Sequence, residues 1–417
     1  MNNKDMLGRT GLTSVDDARG VLLENLKGIK CTAEKVALAD ALGRITASPV
    51  ISPEALPVWP RSTMDGFAVK SADTFGASQS MPAYLNIVGE VLMGRQPDMM
   101  LNNGNCIKIP TGGLLPQGAD AVVMHEDTVP VDETMIEVVK SVSQGTAVMQ
   151  IGEDVQEGRQ ILAAGTKINP YHLGMLAGLG ITEVTVYKRP KIAIISTGDE
   201  IVPCGMPLKP GQIRDINAVS LAGLIRQAGG LAVQLGIVPD QGEQFFTAME
   251  QAVRENDMVL FSGGSSVGVR DLGEQTIARL GNPGILVHGV SLKPGKPVII
   301  GLAGKTPVFG LPGHPVSALV CYELFVLPAI CAISGLEQQE YKTAVYARLS
   351  RNINSAAGRR DVVRVRLEKS AEGLTAVPII SKSGSISSLA EADGYFIIDE
   401  DSQGIYQDTN VEVIVFK

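Results

Sequence analysis

The residues best suited to chemistry sit in three glycine-rich loops, each following an apolar run. They read Ser196-Thr197-Gly198-Asp199-Glu200, Ser262-Gly263-Gly264-Ser265-Ser266-Val267-Gly268 and Leu311-Pro312-Gly313-His314-Pro315. Glycine lets a ligand approach the backbone, and N–H groups freed at a following helix start favour anions. Asp215, Asn217, Asp240 and Asp271 lie between or just after these loops, and Lys293-Pro294-Gly295-Lys296-Pro297 holds two ammonium groups on a stiff turn. Lysine meets phosphate as a point charge. Together they describe a site for a phosphorylated or otherwise anionic ligand. The 262–268 loop has neither the G-x-G-x-x-G spacing of a dinucleotide fold nor a P-loop, so its three glycines and three serines suit a phosphate or pterin cradle.

Further candidates stand in the first half. Ser62-Thr63-Met64-Asp65-Gly66 aims a carboxylate at a ligand or metal, or makes a plain Asp-Gly turn. Thr111-Gly112-Gly113 offers a hydroxyl and backbone donors, or a flexible hairpin. Gly152-Glu153-Asp154 pairs two acids in a loop, where such carboxylates are usually solvated or else hold Mg2+, which keeps several waters. Asp215 and Asn217 serve equally well as caps of the next helix, and Asp240 as a helix-start acid. His314, a lone histidine at a helix start, has a structural reading as its first one. The chain has no G-x-S-x-G elbow, no Ser/His/Asp order and no H-E-x-x-H, which leaves nucleophilic hydrolysis and zinc proteolysis without support.

Elements of three kinds must position these residues. Ser14, with Asp16 and Asp17 in the first turn, caps a helix whose apolar face includes Leu22, Leu23 and Leu26, and Lys35–Leu42 reads as a second short helix stopped by Gly43. Pro49, Pro53, Pro57 and Pro60 then keep the chain extended. From Arg61 to Thr185 short strands predominate, at Ala83–Val88, Cys106–Ile109, Ala121–Met124 and Met135–Val139, with a helix over Tyr171–Leu179 and a strand over Val184–Tyr187. From Pro190 to Ser334, strands at 192–195, 232–238, 258–261, 298–301 and 308–309 alternate with helices at 218–228, 243–255, 274–280 and 316–333. That alternation predicts a parallel α/β sheet, with ligands outside the carboxyl ends of its strands. After Gly335 five strand-like runs predict a separate β-barrel or sandwich.

The chain has 417 residues, 45% hydrophobic and 19% charged, enough for more than one core. A net charge of −8 and 4% aromatic residues argue against nucleic acid as partner. Five scattered cysteines without a C-x-x-C pair fit a reduced, cytoplasmic protein without zinc or iron–sulfur. The N-terminus lacks the apolar core of a signal peptide. The run Val316–Ile333 is apolar enough to suggest a membrane span, but Glu323 and Pro328 interrupt it. A mid-bilayer carboxylate costs about 3 kcal/mol, so a buried core helix is expected and no membrane.

In this order, the segments Ser62–Ala68, Pro110–Gly112, Gly118–Met124, Gly152–Asp154, Ser196–Glu200, Asp215–Asn217, Pro239-Asp240, Ser262–Asp271, Lys293–Pro297, Pro312–Ser317 and Ser385–Leu389 resemble the molybdopterin molybdenumtransferase family, MoeA and the gephyrin E domain. The resemblance implies four domains: a mixed helical/β one from 1–60 and 141–189, a β-rich one over 61–140, a parallel α/β one over 190–334 similar to the molybdopterin adenylyltransferase fold, and a C-terminal β-barrel over 335–417. It implies an elongated homodimer whose cleft joins the α/β domain of one subunit to the β-rich domain of the other. The implied reaction inserts molybdate into adenylylated molybdopterin with Mg2+-dependent release of AMP. Catalytic roles would fall to Asp65, Thr111, Glu200, Asp240 and Asp271, with Glu200, Asp240 and Asp271 as metal ligands, although the pattern lets these acids serve as metal ligand or base. Substrate contacts would come from Thr197, Gly198, Asp215, Asn217, Gly263, Gly264, Ser265, Ser266, Gly268, Lys293, Lys296, Pro312, Gly313, Ser317, Arg364 and Ser385. Arg359 and Ser383 match further family positions near oxyanions. The chain departs from the family at His314, where Asn is usual, at Val269, where an acid is common, and at Met149-Gln150, where Arg is common. An adenylyltransferase, a pterin-binding scaffold and a contact with the adenylyltransferase are the remaining functional readings.

Overall fold

The computed structural model describes residues 12–263, 267–336, 343–370, 373–382 and 384–416; the side chains of 267–271 lie outside that description. The first helix, Val15–Leu26, begins at Ser14, whose Oγ accepts the Asp17 N–H at 3.0 Å. It buries Val15, Ala18, Leu22 and Leu26 against the long helix near the end of the α/β region. The expected second helix over Lys35–Leu42 does not form. Ala33–Ala37 is a strand, paired antiparallel with Glu183–Tyr187, and only Leu38–Asp40 makes a 3-10 turn. The helical propensity of so short a segment is a weak preference, and pairing with a partner about 150 residues away overrides it.

The β-rich region forms one six-stranded sheet in the order Ala121–Met124, Gly66–Val69, Asn105–Ile109, Ala83–Glu90, Met135–Val138, Thr128–Pro130. Gly66–Val69 is buried along its whole length because both faces are covered. Phe67 and Val69 point into one apolar cluster and Ala68 into the other, as the two-residue repeat of a strand requires.

The α/β region is built on six strands in the order Leu231–Val238, Lys191–Thr197, Met258–Gly263, Thr306–Pro312, Ile299–Ala303, Pro283–His288. The first four are parallel. The fifth, expected as another parallel strand, runs antiparallel to both neighbours. Only Gly304 and Lys305 separate Ala303 from Thr306, and Gly304 has a φ of 62°. So short a link closes a hairpin; a parallel return needs a crossover of a dozen residues or more. Helices Asn217–Gln227 and Gly242–Glu255 connect parallel strands, and Val267–Arg279 leads from Met258–Gly263 to the far-edge strand Pro283–His288.

The apolar run at the end of this region is a core helix. Pro315–Ile333 is long and apolar enough to cross a membrane, yet Ala318, Val320, Cys321, Tyr322, Phe325, Val326 and Ile330 lie in the largest buried cluster among the described residues. The Tyr322–Val326 turn is widened into a π-helix. Pro328 follows at once, lacking an N–H and crowding the carbonyl four residues back, and a widened turn accommodates both defects.

The C-terminal strands Ala344–Leu349, Arg360–Ser370, Gly373–Pro378, Gly394–Ile398 and Asn410–Val415 close into a barrel, because Gly394–Ile398 pairs with both Arg360–Ser370 and Asn410–Val415. The barrel is not detached from what precedes it. Leu292–Lys293, from the lysine loop, adds to its edge as a parallel neighbour of Arg360–Asp361.

Candidate active site

Three parallel strands end side by side where the ligand loops begin. Thr197 stands opposite Gly263, and Gly263 opposite Pro312. A Cβ on Gly263 would run into the Thr197 carbonyl and methyl group, so only glycine lets these ends meet. Thr197 is fully buried, and its hydroxyl donates to Asp240 Oδ1 from the loop after the neighbouring edge strand. Gly198 has a φ of 147°, and a Cβ there would lie 2.8 Å from Glu200 Oε2, so Glu200 folds back over its own loop. Asp199 points outward and is exposed.

Two polar atoms at this edge are buried without a partner among the described residues: Ser196 Oγ and Asn217 Oδ1. Asn217 also donates from Nδ2 to the Gly313 carbonyl at 3.0 Å, tying the Pro-Gly-His-Pro loop to the helix start. Asp215 Oδ1 accepts the Ala218 N–H at 3.0 Å. Asp215, the residue before the N-cap Ile216, therefore satisfies a first-turn N–H, whereas Asn217 is a link between loops with an acceptor to spare. Ser317 is buried in the first turn of the long helix. Gly264, Ser265 and Ser266, and the side chains of Val269 and Asp271, lie outside the described residues, as does Ser383; Gly268 and Asp271 fall on the helix Val267–Arg279.

The barrel contributes a second edge. His314 Cδ2 lies 3.7 Å from where a Cβ of Gly384 would sit, so the 381–388 loop meets the start of the long helix. Arg364 is buried and donates to Ser388 Oγ and, at 3.0 Å, to Ser381 Oγ, while Ser388 donates to the Ser385 carbonyl at 2.5 Å. Burial lowers the guanidinium pKa of Arg364, and arginine remains charged regardless. Lys293 Nζ lies 3.4 Å from Asp361 Oδ2, and Lys296 is exposed on the same loop.

A separate group gathers in the β-rich region. Asp65 is exposed, and its Oδ1 accepts the Thr111 N–H at 2.7 Å. Hydrogen bonds from Thr111, with its amide first, hold the Asp65 carboxyl below the usual carboxylate range. Ser62 and Gly112–Gly113 exchange main-chain bonds of 2.9 and 2.8 Å, and Thr63 N–H donates to Ala147 O at 2.9 Å. Glu153 turns back to accept the Gln150 N–H at 2.7 Å. Segments read separately in the sequence thus form one cluster. His125, absent from the sequence reading, packs edge-on against Phe67 at 5.0 Å beside it; its position directly after the strand Ala121–Met124, whose end pairs with Gly66, was the available signal. No hydrogen bond or ion pair among the described residues joins Asp65 or Thr111 to Thr197, Glu200 or Asp240.

This arrangement has counterparts. Residues 13–180 match the family described as "MoeA N-terminal region (domain I and II)", 193–332 the "Probable molybdopterin binding domain" and 346–416 the "MoeA C-terminal region (domain IV)". A molybdopterin molybdenumtransferase of Haemophilus influenzae is 31% identical over 97% of this chain and 99% of its own. The chain belongs to the MoeA family. Another relative named molybdopterin molybdenumtransferase, from Nostoc, is 36% identical over 78% of this chain and 76% of its own. The crystal structure of a molybdopterin biosynthesis MoeA protein from Pyrococcus horikoshii superposes with a TM-score of 0.81 at 37% identity, covering 98% of this chain and all of that one.

The expected Mg2+ can be tested against the donors of this MoeA chain. No three His, Cys, Asp or Glu side chains converge as a dedicated cage among the described residues. Asp240 and Glu200 do flank Thr197–Gly198 from two sides. One or two carboxylates completed by water and substrate phosphate is the usual Mg2+ arrangement, so the donor set fits that ion.

Proposed function

We propose that this MoeA-family chain is a molybdopterin molybdenumtransferase, inserting molybdate into adenylylated molybdopterin with release of AMP. The observation that carries the reading is the pair of buried polar atoms without a partner among the described residues, Ser196 Oγ and Asn217 Oδ1, at a strand edge where Thr197 meets Gly263 and Gly263 meets Pro312. Buried polar groups are nearly always satisfied, so such atoms suit a ligand that supplies donors, as a pterin ring and a ribose do. Relatives bearing that enzyme name, one of them matched over nearly its whole length, support the same choice.

Within this reading Thr197, Gly198, Asp215, Asn217, Gly263, Pro312, Gly313 and Ser317 shape the pterin and nucleotide pocket, as do Gly264, Ser265, Ser266 and Gly268. Lys293, Lys296, Arg364 and Ser385 face the oxyanions. Glu200, Asp240 and Asp271 would hold Mg2+, which offsets the charge of the pyrophosphate when bound. Asp240 keeps one oxygen on the Thr197 hydroxyl, fixing the carboxylate before substrate arrives. Asp65 remains ionised and presents Thr111. A homodimer with a composite cleft belongs to this reading through the family resemblance. The four-domain division, a cytoplasmic location and contact with the adenylyltransferase belong to the same reading.

Purified protein given adenylylated molybdopterin, molybdate and Mg2+ is expected to release AMP only when molybdate is present, and Asp271→Ala to abolish most of that release with the fold intact. Pyrophosphate release from ATP and molybdopterin would indicate adenylyl transfer instead, and pterin binding without turnover would indicate a scaffold.

A further inference from the structure

We propose that Asp361 is a positioning residue that holds Lys293 and Arg359 at the seam between the α/β region and the barrel, presenting both cations to an incoming oxyanion. The inference rests on reading Lys293 as an oxyanion contact.

The geometry begins in the main chain. Lys293 and Asp361 are direct partners in a parallel ladder, fixed by the Arg360 N–H donating to Ser291 O at 2.8 Å. Neighbours in register on parallel strands project to the same face. Lys293 and Asp361 therefore share a face, and Arg359, in the bend just before the strand, turns its side chain to the same carboxylate. Arg359 Nε donates to Asp361 Oδ1 at 2.8 Å, while Lys293 Nζ sits 3.4 Å from Oδ2. The Asp361 side chain is 6% exposed, against 37% for Arg359 and 56% for Lys293. The carboxylate lies at the bottom, with the two cations reaching past it toward solvent.

One negative charge facing two positive ones leaves the group with a net positive charge. Without the carboxylate, the two cations would repel each other, and the four-carbon stem of lysine would sample many rotamers. The flanking structure restricts the alternatives. Arg360 is held by Asp16 at 2.7 and 2.8 Å and by Asp399 at 3.6 Å. A Cβ on Gly295 would lie 2.9 Å from Cys321 Sγ and 2.8 Å from Leu292, so the lysine loop is packed tightly against the long helix.

The test uses the full-length protein and two readouts, the kinetics of molybdate-dependent AMP release and the rate of Lys293 acylation by acetic anhydride, followed by peptide mass. Asp361→Asn keeps the shape and removes the charge. Its molybdate KM is expected to rise about tenfold with kcat within about twofold of the parent, because an interaction of ground and transition state alike is lost. Lys293 acylation should quicken severalfold once the amine is released from the ion pair, and Asp361→Glu should restore most of both. Because Asp361 is buried, Arg359→Gln is the companion variant; it leaves both carboxylate oxygens to Lys293 and should slow its acylation. Unchanged Lys293 labelling in both variants, or a fall in kcat at constant KM in Asp361→Asn, overturns the proposal. If the parent protein releases no AMP but Lys293 labelling responds as stated, the enzymatic reading fails and the positioning role of Asp361 stands.

Discussion

The strand-end site of the α/β region and the Asp65 cluster of the β-rich region make opposite use of their polar groups. At the strand ends Thr197 and Asn217 are buried, and two acceptors lack partners among the described residues. Around Asp65 the carboxylate is exposed, yet it accepts the Thr111 N–H, and its turn is closed by main-chain bonds linking Ser62 and Thr63 to Gly112, Gly113 and Ala147. The first arrangement suits binding, since a ligand completes it. The second is complete by itself and suits holding one charge at a fixed place.

Variants can sharpen or break that contrast. The largest effect is expected from Asp240→Asn, which removes the charge beside Thr197. AMP release should fall by about 100- to 1,000-fold, the range seen when a preorganised electrostatic group is lost. A smaller loss than in Asp65→Asn would reverse the ranking of the two regions. Next comes Gly263→Ala. Its methyl group meets the Thr197 main chain, so chemical denaturation should show a loss of about 1–3 kcal/mol, as for overpacking in a core. Gly112→Ala, placing alanine at a φ of 80° with only an ordinary 3.5 Å contact to Met93 Cε, should cost about 1–2 kcal/mol, from backbone strain.

Asp65→Asn should lower kcat/KM about tenfold, one hydrogen-bonded charge being removed at an exposed position. Its titration offers a separate check. The folded-state carboxyl lies below its unfolded value, so its stabilising contribution is present above the ordinary carboxylate range and is lost as pH falls through the folded value. The Thr111 amide resonance should therefore hold still from pH 8 downward and move only below about pH 4. A midpoint above that would mean Asp65 is not held by the turn. The smallest effect is expected from Asp199→Ala: the side chain is exposed at the strand ends, and stability should stay within about 0.5 kcal/mol by denaturant melt.

The sequence made the local features visible. Ser14, with acids in the next turn, marks a helix start, and apolar runs ending in glycine loops mark the strands that carry Thr197, Gly263 and Pro312. What depends on distant partners was not visible. Lys35–Leu42 becomes a strand and a short turn because Glu183–Tyr187 lies beside it. The strand Pro283–His288 went unread, and Ile299–Ala303 changed direction, because a two-residue link decides between hairpin and crossover. Asp65, Thr111 and Ala147 look like three unrelated turns until main-chain bonds join them. Nothing local in the sequence marks Asp361, because its neighbour is supplied by a ladder spanning 68 positions of chain.

That ladder bears on how the chain can be cut and recombined. The lysine loop takes its shape from a strand belonging to the barrel, so the α/β region transplanted alone would arrive with an unmatched main-chain edge and a wandering amine. A chimaera that borrows the region from a relative would need to bring residues 359–361 along, or inherit that short stretch as the point where the graft fails.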